Sequence, residues 1–155
     1  MTQITLKDFE PKNWQEISQL EKSTDDVEIP ASENDFLHYY DTGKHLAKVI
    51  CFNNKIVGYM LYKLETQLLT VDWLFVDSRY RRQGIAFFAV ETLLSQLKGL
   101  RRTAVAAEVS EKNLAAQLLL KKTGFSWFRT LEADVSRYAF LFPKEVIARL
   151  KEPVC

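Results

Sequence analysis

Apolar positions along the chain recur first with period two and later with period 3.6, and the places where the period changes mark its elements. Ile4-Thr5-Leu6 reads as a short strand, and Asn13 to Leu20 as a helix with Trp14, Ile17 and Leu20 on one face. Phe36 to Tyr40 predicts a second helix, stopped at Asp41-Thr42-Gly43. His45 to Phe52 and Lys55 to Leu64 are apolar runs joined by Asn53-Asn54, the pattern of a hairpin. Leu68 to Val76 adds a third strand, so the hairpin extends into a meander, and Gly58 marks a bulge or a close approach within it. After Gly84, Ala86, Ala89, Val90, Leu93, Leu94 and Leu97 follow at helical spacing until Gly99. Thr103 to Val109 predicts a strand, and Leu114 to Lys122 a helix ended by Thr123-Gly124. Phe125 to Leu131 and Tyr138 to Phe142 read as closing strands, and Pro143 to Leu150 as a final helix or tail.

This order predicts an α/β (α+β) fold, with a mixed, mainly antiparallel central sheet flanked by helices, in a single domain over residues 1–155. Three consecutive strands before the first long helix argue against a doubly wound dinucleotide fold, which alternates strands with helices.

Composition changes this picture little. At 155 residues, with 47% hydrophobic and 26% charged residues, the chain is of globular type and large enough to bury a core. A formal net charge of +1 gives no bulk attraction to nucleic acid or an anionic membrane. Cys51 and Cys155 make neither a disulfide framework nor a metal site, and His38 and His45 are not spaced with further ligands. Met1 to Asp8 lacks the basic and apolar regions of a secretory signal, and no apolar stretch is long enough to span a bilayer, so a cytoplasmic setting is the expectation. Monomer and homodimer both stay open, since the aromatic C-terminal strands can pack on a neighbour or on the core.

The basic residues are instead local, and one group of them carries chemistry. The apolar run Val71 to Val76 leads into Asp77-Ser78-Arg79-Tyr80-Arg81-Arg82-Gln83-Gly84-Ile85-Ala86, where the long helix begins. Backbone N–H groups at a helix start have no intrahelical acceptor, so such a turn can hold phosphate oxygens. Gly84 lets the backbone approach a ligand, and Arg81 and Arg82 add positive charge. The same stretch also reads as an ordinary strand–turn–helix with a solvated basic surface.

A second stretch, Glu108 to Phe125, decides between these readings. Arg81, Gly84 and Ala86 match an Arg/Gln-x-x-Gly-x-Gly/Ala signature. Asn113, Ala116, Leu119, Lys122, Gly124 and Phe125 match an Asn-x-x-Ala-x-x-Leu-Tyr-x-Lys-x-Gly-Phe block. With both motifs in order, the chain from about Ile4 to Phe142 resembles the GNAT superfamily of acyl-CoA-dependent N-acetyltransferases.

The resemblance implies acetyl-CoA as cosubstrate and direct attack by an amine in a ternary complex. It implies that the pantetheine arm pairs with the backbone of Leu74, Phe75 and Val76. The pyrophosphate would lie on Arg81, Arg82, Gln83, Gly84, Ile85 and Ala86. Asn113 would bond the cofactor arm, in addition to the helix N-cap role that asparagine often fills. Glu108, five residues before Asn113, matches the base of the ribosomal-protein N-terminal alanine acetyltransferase branch. A solvated or Arg-paired strand-end glutamate is the alternative. Asp72, a carboxylate inside an apolar strand, is the second candidate base. Leu120 departs from the family, which often has a tyrosine there to protonate the leaving sulfur. Tyr138 is a candidate replacement, or simply a packed aromatic with a wet hydroxyl.

The acceptor pocket implied by the resemblance involves Asp25, Asp26, Val27 and Glu28, then Glu33 and Asp35, facing Tyr39, Tyr40 and Trp127. Its acidic residues would attract a cationic amine or form a solvated loop. The acceptor is then a primary amine of a small molecule or of a peptide or protein N-terminus. A non-catalytic acyl-CoA-binding sensor or recruitment module is the alternative that Leu120 motivates. No metal site, nucleic-acid partner or membrane partner is expected.

Overall fold

Among the described residues, seven strands form one sheet in the order β1-β2-β3-β4-β5-β7-β6, with β1 Ile4–Asp8, β2 His45–Phe52, β3 Lys55–Leu64, β4 Leu68–Val76, β5 Ala104–Ser110, β6 Ser126–Glu132 and β7 Val135–Leu141. The structure, a computed structural model, describes residues 3–23, 29–40, 44–65, 68–97, 104–132 and 135–141. All strand pairs are antiparallel except β4 with β5, which are parallel and joined by the crossover helix α3 (Ile85–Leu97). The mixed, mainly antiparallel α/β sheet expected from the element order is therefore what the chain forms.

Period-two burial gives the sheet two apolar faces. On one, Ile50, Val57, Met60, Leu69, Val105, Ala107 and Val109 pack against Ala89, Val90 and Leu93 of α3 and Leu120 of α4 (Leu114–Lys122). On the other, Val49, Cys51, Tyr59 and Leu61 pack against Ile17 of α1 (Trp14–Ile17) and Phe36 and Tyr39 of α2 (Glu33–Tyr39). Among the described residues, no helix is long and apolar enough to cross a membrane.

Several element limits differ from expectation. The predicted helix over residues 13–20 shrinks to Trp14–Ile17, preceded by a 3-10 turn at Pro11–Asn13. Its end tightens because the N–H groups of Gln19 and Leu20 bond three residues back, to Glu16 and Ile17, while the Ser18 hydroxyl takes the Gln15 carbonyl. The second helix starts three residues earlier than its apolar run, because Ser32 caps it in a reciprocal box with Asp35. The last strand likewise starts earlier, at Val135 rather than Tyr138. The predicted stop signals Asp41-Thr42-Gly43 and Gly99, and the tail 143–150, lie outside the described residues.

Candidate functional site

The centre of the sheet opens into a fork. Strands β4 and β5 pair only from Leu68↔Ala104 to Val71↔Ala107. Beyond that point β4 stays with β3 as far as Gly58↔Val76, and β5 stays with β7 as far as Ser110↔Val135. The cause is visible in β4 itself. Leu61 faces Trp73 and Tyr62 faces Val71, so Asp72 is the extra residue of a β-bulge at the branch point. A bulge bends and overtwists its strand, which carries residues 73–76 away from β5. The inner edge of that segment has no strand partner among the described residues. Extended ligands add to such an edge as an extra strand. Leu74, Phe75 and Val76, expected to receive a cofactor arm, are this segment.

Gly58 lets β3 approach β4 closely at the far end of the fork segment. A Cβ there would lie 2.2 Å from the Phe75 carbonyl oxygen, so only glycine allows the two backbones so close.

At the far end of β4, Asp77 is fully buried and organises the next loop. It accepts from the Arg79 guanidinium at 3.0 and 2.8 Å, from the Arg79 N–H at 2.8 Å and from the Glu21 N–H at 3.1 Å. The Arg79 side chain, helped by the two backbone donors and opposed by burial, holds the Asp77 carboxyl down at about 2. In return, the aspartate raises the Arg79 guanidinium further above its ordinary value. The Ser78 N–H donates to the Glu21 carbonyl at 2.8 Å, so the segment after α1 is stapled to this loop.

The loop then turns sharply. Arg81 Nε donates to the Val76 carbonyl at 2.9 Å, and its guanidinium lies 5.5 Å from the centre of the Phe75 ring. Arg82 and Gly84 both adopt left-handed backbone, with φ of 64° and 77°. Left-handed residues in such a turn can aim backbone N–H groups to one side, as anion-binding nests do. The first intrahelical bond of α3 runs from the Phe88 N–H to the Gly84 carbonyl at 2.9 Å. The N–H groups of Ile85, Ala86 and Phe87 thus precede the helical ladder, as at any helix start. Open fork, left-handed loop and helix start together fit the arm and pyrophosphate of a coenzyme A thioester.

Helix α4 forms the other wall. The Asn113 side chain caps it by accepting from the Ala116 N–H at 3.1 Å. Gln117 donates to the carbonyls of Ser110 and Glu111 and accepts the Tyr138 hydroxyl at 3.2 Å. Leu120 and Tyr138 are both buried in the core beneath α3 and α4.

Two carboxylates flank the branch point. Asp72 and Glu108 are the first residues of β4 and β5 past the last parallel pair. Val71 and Ala107 face the α3/α4 core, so Glu108 projects to the opposite face. Asp72 does too, because its Oδ2 accepts the hydroxyl of Tyr39, from α2, at 2.5 Å. Each carboxylate has a cation on the neighbouring strand. Lys63 Nζ is 4.0 Å from Asp72, and Arg137 donates to Glu108 at 2.9 Å. Burial, and then the bond to Asp72, push the Tyr39 phenol well above its ordinary value.

Of the expected acceptor groups, residues 25–28 lie outside the described residues. Asp35 is engaged in the cap of α2, while Tyr40 and Trp127 are exposed. Tyr39, Arg137 and Gln117 gain their places through long-range contacts that no local motif announces.

Comparison with known proteins gives a family and a fold. The family model described as Acetyltransferase (GNAT) family matches residues 12–125. No curated protein matches the sequence. Among solved structures, the chain is similar to the ribosomal-protein-S18-alanine N-acetyltransferase from Escherichia coli, at 20% identity and TM-score 0.73, covering 90% of this chain and 94% of that one. An acetyltransferase from Thermus thermophilus is similar at 18% identity and TM-score 0.74, with 90% and 97% covered. PaiA N-acetyltransferase from Thermoplasma acidophilum, in complex with coenzyme A, is similar at 10% identity and TM-score 0.76, with 90% and 99% covered.

Proposed function

The chain belongs to the GNAT acetyltransferase family, which uses acetyl-CoA, and from that premise we propose that it transfers the acetyl group to a primary amine of a small molecule or of a peptide N-terminus. The observation that carries this reading is the parting of β4 and β5 after Val71↔Ala107, with the left-handed loop at the end of the same strand.

In this reading the backbone of residues 74–76 and the cap residue Asn113 hold the pantetheine arm. The N–H groups between Arg82 and Ala86 hold the pyrophosphate, with Arg81 bracing the loop against Val76 and Phe75. An N–H at the Asp72 bulge lies where the ladder is broken and serves as donor to the thioester oxygen. The amine nitrogen attacks the carbonyl carbon as its proton passes to Glu108, and the C–S bond breaks to release the CoA thiolate. Glu108 is the first carboxylate on β5 beyond the branch, and release from Arg137 frees it to act. Leu120 offers no proton to the sulfur. A thiol pKa of ~8.5 makes the thiolate a workable leaving group, and the Tyr138 hydroxyl, bonded to Gln117, is the candidate donor on that wall.

The buried Leu120 also supports a second reading, a module that binds acyl-CoA without transferring its acyl group. Calorimetry with acetyl-CoA, followed by CoA release across a panel of amines and N-terminal peptides, separates the two. Amine-dependent release supports the enzyme, and binding without it supports the module. Glu108→Gln is expected to lower kcat by ~100-fold or more, within the range of general-base catalysis, while leaving the acetyl-CoA Kd within about two-fold. Unchanged kcat in that variant removes Glu108 from the mechanism.

A further inference from the structure

We infer that Asp72, positioned by the Tyr39 hydroxyl, is the seat for the acceptor's ammonium group and selects acceptors that arrive as cations. This deepens the function proposed above and rests on it. Asp72 stands at the branch point, on the face of the sheet opposite α3 and α4, beside the place where an acyl group carried along β4 ends.

Its side chain is mostly covered, at 19% exposure, and its two oxygens have different surroundings. Oδ2 is committed to Tyr39, which is itself buried and fixed by ring contacts with His45 at 4.8 Å and Trp73 at 5.9 Å. Oδ1 has the Lys63 ammonium at 4.0 Å, close enough for attraction but beyond hydrogen-bonding distance. The lysine pairs with Oδ1 as a primary ammonium, the chemistry an acceptor amine would bring, while the Tyr39 hydroxyl fixes the other oxygen on the α2 side.

Aromatic rings complete the environment. Tyr39 bonds the carboxylate and packs edge-on against Trp73, whose indole N–H is tied to the Ile29 carbonyl at 3.2 Å. A fixed carboxylate beside aromatic rings favours an alkylammonium over a neutral group by charge and by cation–π attraction. Glu108, on the other arm of the fork, takes one proton from the seated ammonium to free its lone pair, and the nitrogen's second proton leaves with the CoA thiolate as the amide forms. The two carboxylates divide seating from deprotonation.

The test compares two acceptors with the full chain and saturating acetyl-CoA at neutral pH: butylamine, which is cationic, and O-propylhydroxylamine, which has similar shape and is uncharged. Asp72→Asn is expected to raise KM for butylamine by ~10–100-fold, the worth of a hydrogen bond to a charged group. KM for the hydroxylamine should shift far less, so the ratio of the two KM values changes by nearly that factor. Tyr39→Phe, which keeps the ring, should shift the same KM by roughly ten-fold, and adding it to Asp72→Asn should have almost no further effect. Lys63→Met should lower KM for butylamine by removing the competing cation.

Equal shifts for both acceptors, or a loss of kcat with KM unchanged, would overturn the seat while leaving the acetyltransferase reading in place. Transfer to the hydroxylamine but not to butylamine would overturn it as well. Transfer to neither, with acetyl-CoA still bound, would sink both the seat and amine acetylation and leave only the cofactor site.

Discussion

Asp77 shows how one side chain holds the loop after β4 together. It has no exposed surface, and its ionised form is matched by the Arg79 fork and two backbone N–H groups. A carboxyl held at about 2, against an ordinary ~3.9 in the unfolded chain, favours the folded state by on the order of 2 kcal/mol at neutral pH. Because the folded value is the lower one, that contribution is complete above about pH 4 and drains away as pH falls toward 2. Asp77→Asn is therefore expected to cost roughly 2 kcal/mol in urea unfolding at pH 7, and visibly less at pH 3. A gap of the same size at both pH values would mean that the carboxylate's charge is not what stabilises the loop. Position 77 is readable in advance only as an aspartate closing a strand. What its sequence context cannot tell is that Glu21, 56 residues earlier, supplies one of its donors.

At the level of elements, strands were easier to anticipate than short helices, for a physical reason. The β2–β3 hairpin follows from apolar runs and from Asn53 and Asn54, which accept the left-handed φ of 50° and 69° that a tight turn needs. The first helix has the right apolar spacing but only one turn of true α-helix, since Ser18 and a tightened end compete with it. The bulge at Asp72 leaves no composition signal; Gly58, opposite Val76 and next to the β2–β3 register shift, marks a separate close approach. The paired backbones at Gly58 and Phe75 leave no room for a side chain. Gly58→Ala must push β3 off β4, and it is expected to cost ~1–3 kcal/mol, the range for forced overpacking. Because the displaced residue is Phe75, on the fork segment, acetyl-CoA affinity should fall as well. Unfolding midpoints and calorimetric Kd values measured on the same preparation check both effects. A stability loss with an unaltered Kd would show that β4 does not carry the cofactor arm.

For the molecule as a whole, the fork leaves one stretch of main chain without the strand partner, among the described residues, that its neighbours have. The topology was legible because strand β4, a phosphate-type turn, a crossover helix and β5 follow in order. The pairs that furnish its mouth, Tyr39 with Asp72 and Glu108 with Arg137, join residues 33 and 29 positions apart and exist only once the sheet is assembled. A ligand that enters as an added strand must protect the backbone it pairs with and leave the outer sheet alone. Acetyl-CoA at about 100 times its Kd should stabilise the fold by ~2.7 kcal/mol through mass action alone. Hydrogen exchange can then locate where that energy acts, because amides released only by global unfolding all gain the same amount. Amides that exchange by local opening gain only where the ligand touches them. Added acetyl-CoA is therefore expected to slow exchange at alternate residues of 73–76 and across 83–87, with fast-exchanging amides of the Asn53–Asn54 turn unchanged. Protection confined to 83–87 would mean that the loop binds the pyrophosphate while the open edge of β4 stays in water, and the acyl group would then have no path to the branch point at Asp72.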